Sequence, residues 1–159
     1  MTKKVVIPWE LKYDFAMKSN ASVVKGFLYA IREEYGAAVA LKIAENMWTF
    51  KDRIKNMVKM ILKVFEIEGD NAETIGEFWD VYSEISGIEG VILERSKTSG
   101  RQKITKCPWN TPDPKDLSDW CERFCNVINK SINPKVASKR PMGMCTGDSY
   151  CEIAWKIEE

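Results

Sequence analysis

The sequence predicts an α+β fold in which N-terminal helices pack on a small C-terminal antiparallel sheet with one inserted helix. Apolar residues recur at helical spacing up to about residue 86, and apolar and polar residues alternate between turn signals after Gly87. The chain of 159 residues fits a single domain over 1–159. Its helical part covers about 9–86, and its cysteine-rich part, which contains the sheet, covers about 88–159.

Three helices are predicted in the first part. The first runs from Ser22 to Gly36, because glycine is typical of the residue that ends a helix. The second is long, is bent near 48–50, and stops at the turn signal 69–71. The third covers about 72–86. Their combined apolar surface exceeds what a small sheet can cover, so we expect some of it to pack on a second copy of the chain.

The second part is predicted to begin with a β-hairpin and to end with a strand. The hairpin joins 91–93 to 102–107 through a turn at 97–100, and a loop at 108–114 leads into the inserted helix. The last strand starts at Cys151, where apolar residues alternate with polar ones. This alternation predicts that the Cys151 side chain faces the core.

Charge and composition exclude several classes of function. Lys and Arg number 24 against 23 Asp and Glu, so no one-signed field favours nucleic acid or an anionic membrane as a partner. No apolar run is long enough for a membrane span or a signal peptide, which favours a cytoplasmic location and reduced thiols. The sequence contains no histidine, so catalysis by a histidine base is excluded.

All five cysteines lie in the last third of the chain, and their clustering is the strongest functional signal. Two of them, Cys121 and Cys125, are four residues apart on the inserted helix, so their side chains leave neighbouring turns of one face. The others are Cys107, Cys145 and Cys151.

Three interpretations of the cysteines remain open. They could be small buried core residues. They could hold zinc or an iron–sulfur cluster as thiolates, although no standard spacing of metal-binding cysteines is present. Finally, one thiolate could be a nucleophile, which would require a lowered pKa because no histidine is available as its base.

Other residues carry weaker signals. Asp148 lies in a turn, where it could transfer protons, although capping the turn is the more common role. The pair Lys139-Arg140 could receive an anion, although such pairs more often mark a solvated strand end. Aromatic residues of the predicted helices are typical of a core, and some could line an apolar ligand pocket between helices and sheet.

Three short motifs resemble the C-terminal pattern of the L-2-amino-thiazoline-4-carboxylic acid hydrolase family. They are the strand end Lys106-Cys107-Pro108-Trp109, the helix cysteine Cys121, and the closing segment Thr146-Gly147-Asp148-Ser149-Tyr150-Cys151-Glu152-Ile153. The resemblance covers about 104–157. It implies a fold akin to 4-vinyl reductase and TRAPP-type ligand-binding domains, often as a homodimer.

The resemblance implies a small-molecule hydrolase that opens a cyclic C–N or C–S bond in a cysteine-lined pocket. Cys107, Cys121 and Cys151 match family cysteines and become candidate nucleophiles, with Asp148 as the orienting or proton-transfer group. Cys125 and Cys145 are additions to the family pattern. They leave open a non-catalytic sensor or carrier that binds a small-molecule ligand, a metal or an iron–sulfur cluster.

Overall fold

The computed structural model describes residues 8–110 and 115–158. The elements, in chain order, are α1 (Trp9–Tyr35), α2 (Ala37–Thr49), α3 (Arg53–Val64), α4 (Ala72–Ser86), β1 (Glu89–Arg95), β2 (Ser99–Lys106), α5 (Trp120–Ile132), β3 (Val136–Met142) and β4 (Cys151–Ile157). The predicted α+β class is confirmed. Among the helices of these two ranges, none combines the length and the apolar character that crossing a bilayer requires. The start of the chain and part of the predicted 108–114 loop lie outside the described residues.

The first two predicted helices form three helices in the structure. α1 begins at Trp9, well before the predicted Ser22, and ends where Gly36 takes a positive φ of 83°. The predicted bend near 48–50 is confirmed as a break between α2 and α3. Lys51 and Asp52 adopt left-handed backbone angles there, with φ of 50° and 57°. These angles interrupt the helical hydrogen bonds and let the two helices take different directions.

Helix α4 matches the third predicted helix. The side chain of Asn71 accepts hydrogen bonds from the backbone N–H of Glu73 and Thr74 at 2.9 and 3.1 Å, which satisfies two donors of the first turn. The helix ends at Gly87, whose φ of 65° favours glycine. Phe78 and Trp79 are almost fully buried, so this face of α4 lies in the core.

The four strands form one antiparallel sheet in the order β1-β2-β4-β3. The predicted hairpin is β1 and β2, and the predicted last strand is β4, with Ile153 and Trp155 buried. Strand β3 lies at an edge and was not predicted from the sequence. It contains Pro141, which cannot donate a backbone hydrogen bond, and the pairing with β4 is irregular between Lys139 and Met142.

The core consists of two apolar clusters that share α5. One cluster packs α3, α4 and α5 against the sheet, and the other packs α1 and α2 against an adjacent, partly shared face of α5. Ile128 belongs to the first cluster and Trp120 to the second. Helix α5 therefore presents side chains to both clusters and places its cysteines at their junction.

Candidate functional site

A cavity of about 260 Å³ lies between the helices and the sheet. Its walls come from α1, α2, α4, α5, all strands except β1, and the segments that follow β2 and β3. The lining residues are Val24, Met47, Trp48, Trp79, Tyr82, Ile88, Ile104, Cys107, Trp109, Asn110, Trp120, Cys121, Phe124, Cys125, Arg140, Cys145, Cys151 and Ile153. Almost all of them are apolar or aromatic, which is typical of small-molecule sites. The pocket expected between helices and sheet is therefore present.

All five cysteines contribute to the wall of this cavity. Cys121 and Cys125 reach it from α5, and Cys107 reaches it from the residue after β2. Cys151 is the first residue of β4, while Cys145 lies in a short 3-10 turn, Met144–Thr146, between β3 and β4. The fold thus brings together the thiols that the sequence separates by up to 44 residues, from Cys107 to Cys151.

Two of the thiols lie in surroundings that favour the neutral form. Burial raises the pKa of Cys107 to about 11 and that of Cys125 to about 12. For Cys107, a backbone hydrogen bond at Trp109 opposes part of this effect. At neutral pH both side chains are therefore thiols and poor nucleophiles.

Cys121 and Cys151 are also shifted toward the thiol form, for different reasons. The pKa of Cys121 rises well above its usual value, first because of its hydrogen bond with Cys145 and then because of burial. Burial raises the pKa of Cys151, although the backbone N–H of Met144 donates to its sulfur at 3.1 Å and opposes the shift.

Cys145 differs because a cation faces it. Arg140 Nη1 donates to Cys145 Sγ at 2.7 Å, and Arg140 Nη2 donates to the carbonyl oxygen of Ser118. Burial lowers the pKa of Arg140, but the facing cysteine sulfurs, Cys145 first and then Cys121 and Cys151, together outweigh it and the net shift is upward. A guanidinium at this distance favours the thiolate form of a cysteine. Cys145 is therefore the strongest candidate nucleophile of the cavity.

Asp148, a predicted proton-transfer group, does not line the cavity. Its Oδ2 accepts a hydrogen bond from the backbone N–H of Gly143 at 2.7 Å. The carboxylate thus closes the turn between β3 and β4, and this turn also holds Cys145. The contact is the capping role that the sequence analysis weighed against catalysis, and the predicted catalytic role gains no support from it.

The predicted metal set does not form a ligand cluster. Within residues 8–110 and 115–158, no three cysteine, aspartate or glutamate side chains approach closely enough to hold a metal ion. The Arg140 guanidinium beside Cys145 would also repel a metal cation. The zinc or iron–sulfur site at Cys107, Cys121, Cys125, Cys145 and Cys151 therefore stays a prediction without geometric support.

Two basic side chains, Arg140 and Lys25, are less exposed and closer to the cavity than the sequence indicated. Arg140 was assigned mainly to a solvated strand end, yet it is the only charged residue among the described residues of the cavity wall. Lys25 of α1 is only 2% exposed, and its Nζ lies 5.3 Å from the ring centroid of Trp120. Lysine in the middle of an amphipathic helix gives no sequence signal that it will be buried.

A second groove adjoins the cavity. It is lined by residues of α1, by the turn between α4 and β1, and by Pro108, and its volume is about 420 Å³. Ile88 and Cys107 line both spaces, so they separate the apolar cavity from a more polar surface groove.

Comparison with known proteins relates the fold to a solved structure. No family model and no curated protein sequence matches the chain. Among solved structures, it resembles a trafficking protein particle complex subunit 3 from Naegleria fowleri that is covalently bound to palmitic acid. The TM-score is 0.61 at 14% identity, over 91% of this chain and 96% of that one. The likeness supports the TRAPP-type fold that the motif resemblance implied, whereas the hydrolase family itself is not supported.

Proposed function

We propose that this protein is a ligand-binding domain that encloses the hydrocarbon chain of a fatty acid in its cysteine-lined cavity. The observation that carries the proposal is the apolar wall of a cavity of about 260 Å³ inside a TRAPP-type fold. Transfer of an alkyl chain from water into such a space is favourable by roughly 0.8 kcal/mol per buried CH₂. The apolar wall offers contacts along the whole length of an alkyl chain and few hydrogen-bond partners for a polar ring.

Arg140, the charged residue of the cavity wall, supplies a partner for the carboxylate of the fatty acid. Arg140 can pair with a carboxylate, because guanidinium and carboxylate match in charge and geometry. The charge of Arg140 is partly engaged by Cys145 and Ser118. A bound carboxylate would therefore compete with the Cys145 sulfur for the same guanidinium.

Covalent attachment to Cys145 is a second candidate, favoured by the 2.7 Å contact with Arg140. The Cys145 thiolate would attack the carbonyl carbon of an acyl thioester. The original thiolate would leave and take up a proton, and a new thioester would form. The similar solved structure carries its palmitic acid covalently, which supports the chemistry but assigns no residue here.

The predicted hydrolase activity has less support. A hydrolase of this type needs a base that activates either the nucleophile or water, and the chain has no histidine while Asp148 is engaged in a turn. The cleavage of a cyclic C–N or C–S bond stays a prediction that no observation favours over simple binding.

We also propose that the protein forms a homodimer through α1. Apolar side chains at four- and eight-residue intervals on this helix are more than half exposed: Leu11, Phe15, Val23 and Phe27. This spacing places them along one stripe of the helix. Light scattering should give the mass of two chains, and Phe15→Glu together with Phe27→Glu should give the mass of one.

Binding is tested with palmitic acid by calorimetry and native mass spectrometry on the reduced protein. Replacement of Cys125 by Phe should fill part of the cavity and weaken binding at least tenfold, or about 1.4 kcal/mol. Leu93→Phe, on the exposed strand β1, is the matched control and should bind normally. Absence of palmitate binding by the folded wild type, or equal binding by Cys125→Phe, would contradict the proposal.

Methyl palmitate tests the role of Arg140. If the guanidinium pairs with the carboxylate, palmitic acid should bind more tightly than its methyl ester to the wild type. The difference should disappear in Arg140→Met. A preference that survives this substitution would place the carboxylate elsewhere.

A further inference from the structure

We propose that Cys145 and Cys121 form a redox-active dithiol, in which Cys145 reacts with a hydroperoxide and Cys121 then closes a disulfide with it. This activity does not depend on the fatty acid proposed above. It rests on the surroundings of the two sulfur atoms.

The first step of the argument is the activation of Cys145. Arg140 Nη1 lies 2.7 Å from Cys145 Sγ, and the contact joins a buried thiol to a half-buried guanidinium. The arginine is held in position from α5 as well, because Glu122 Oε2 accepts its backbone N–H at 2.8 Å. A fixed cation in a region of low dielectric stabilises a thiolate more strongly than the same cation in water.

The second step is the presence of another thiol beside the activated one. Cys121 is hydrogen-bonded to Cys145, and this contact is the largest influence on the Cys121 thiol. A thiolate that accepts a hydrogen bond from a neighbouring thiol is the arrangement from which a disulfide closes. The two sulfurs must then approach to about 2.05 Å, which requires rotation of both side chains or a small shift of the turn that carries Cys145.

The third step is selectivity among five thiols that share one cavity. Cys107 and Cys125 lie in apolar surroundings, and Cys151 accepts from a backbone N–H, while the direct hydrogen bond of Arg140 goes to Cys145. Oxidation rate follows the fraction of thiolate and its access. Cys145 should therefore react first, and Cys121 is the thiol in hydrogen-bond contact with it.

The reaction balances with a hydroperoxide as the oxidant. The Cys145 thiolate attacks the outer oxygen of ROOH, the O–O bond breaks, and the released alkoxide takes up a proton to give ROH. Cys145 becomes a sulfenic acid. The sulfur of Cys121 then attacks the Cys145 sulfur, and the departing hydroxide leaves as water with the proton of Cys121. An external dithiol reduces the disulfide and restores both thiols.

The closed disulfide would remodel the polar end of the cavity. It removes the negative charge that faces Arg140 and joins α5 to the turn between β3 and β4. An oxidised Cys145 also cannot accept an acyl group. Oxidation would therefore exclude covalent loading of the cavity at this residue.

The test uses full-length reduced protein and graded hydrogen peroxide, with intact mass and non-reducing peptide mapping as readouts. We expect loss of two hydrogen masses, a Cys121–Cys145 linkage, and reversal by dithiothreitol. In Cys121→Ser, dimedone should trap a sulfenic acid at Cys145. In Lys130→Ser, an exposed change on α5 outside the cavity, the linkage should form as in the wild type.

Three outcomes would overturn the proposal. The first is a disulfide between another pair, and the second is peroxide treatment that yields no disulfide. The third is oxidation of Cys145 by peroxide less than about tenfold faster than that of Cys125 in the wild type, because that would contradict its activation by Arg140. The last comparison needs no variant: timed samples are quenched with iodoacetamide in denaturant, and the loss of alkylatable thiol is read at both residues.

Discussion

Cys125 and Cys145 line the same cavity, yet the chain surrounds them in opposite ways. Cys125 is enclosed by apolar side chains between α5 and the sheet, and burial raises its pKa to about 12. Cys145 is equally hidden from solvent, but a guanidinium lies 2.7 Å from its sulfur. Burial alone therefore favours the neutral thiol, and the nearby charge is the feature that we propose selects the thiol that reacts. The number of cysteines in a cavity says little about its chemistry.

Removal of the Arg140 charge should have the largest effect on the difference in reactivity between Cys145 and Cys125. In Arg140→Met, alkylation of Cys145 by iodoacetamide at pH 7 should slow by about 100-fold, because the buried thiolate loses its counter-charge. Alkylation of Cys125 should hardly change. Peptide mass spectrometry after timed labelling measures both rates. Arg140→Lys keeps a cation, so its rate of Cys145 alkylation should lie between those of the wild type and Arg140→Met. Equal rates in all three proteins would contradict the role of the Arg140 charge.

The free energy of unfolding should fall at alkaline pH because of the buried thiols of Cys107 and Cys125. A thiol whose pKa is raised in the folded protein binds its proton more tightly there than in the unfolded chain, so stability is full below pH 8.5 and falls above it. The loss should continue through about pH 11 for Cys107 and about pH 12 for Cys125. Each thiol adds roughly 1.4 kcal/mol of loss per pH unit within its window.

The measurement is the unfolding midpoint between pH 8 and 10.5, followed by circular dichroism. In Cys125→Ala the curve should start lower, because a core atom is lost, but should decline less steeply with pH. A slope identical to that of the wild type would show that Cys125 ionises as easily in the folded protein as in the unfolded chain.

The apolar wall itself depends on a buried hydrogen bond. Trp79 Nε1 donates to Asn129 Oδ1 at 2.7 Å, and Trp79 is only 2% exposed. Trp79→Phe should lower the unfolding free energy by about 1–3 kcal/mol, since it leaves the amide oxygen unpaired and the ring space underfilled. Urea titration measures the change. Trp9→Phe, at a site that is 69% exposed, is the control and should stay within about 0.5 kcal/mol of the wild type.

The smallest effect is expected at Asp148. Asp148→Asn keeps an oxygen that can accept from Gly143 N, so stability should fall by no more than about 1 kcal/mol. Alkylation of Cys145 should remain within about twofold of the wild type. A large loss of Cys145 reactivity without loss of stability would instead restore Asp148 to the proton-transfer role that the family resemblance implied.

Much of the fold was predictable because local patterns and tertiary packing agree. Helix α4, the β1–β2 hairpin and strand β4 each show the apolar period of the element they form. Strand β3 was not delimited, although Lys139-Arg140 was interpreted as a strand end, because Lys139, Arg140 and Pro141 show no alternation of apolar and polar residues. An edge strand tolerates such residues, since one side of its backbone needs no pairing. The start of α1 was missed because its early apolar residues are exposed and do not face the core.

The site was predictable only in part, for a related reason. The clustering of the cysteines in the last third of the chain indicated a common site, and all five line one cavity. The contact between Arg140 and Cys145 could not be predicted from their spacing in the sequence. It forms because Arg140 lies on strand β3 and Cys145 lies in the turn that follows this strand. The sequence alone therefore identified the thiols but not the charge that distinguishes them.

The cavity also has a mechanical consequence. An unfilled space inside a folded protein is lost when the chain unfolds, so its volume adds to the contraction of the system under hydrostatic pressure. The cavity opens to the surface near Met47, so its apolar interior beside Trp79 and Trp120 is the part whose loss should favour unfolding under pressure. A ligand that fills this interior should make unfolding less sensitive to pressure, and high-pressure fluorescence of the buried tryptophans could report occupancy without knowledge of the occupant.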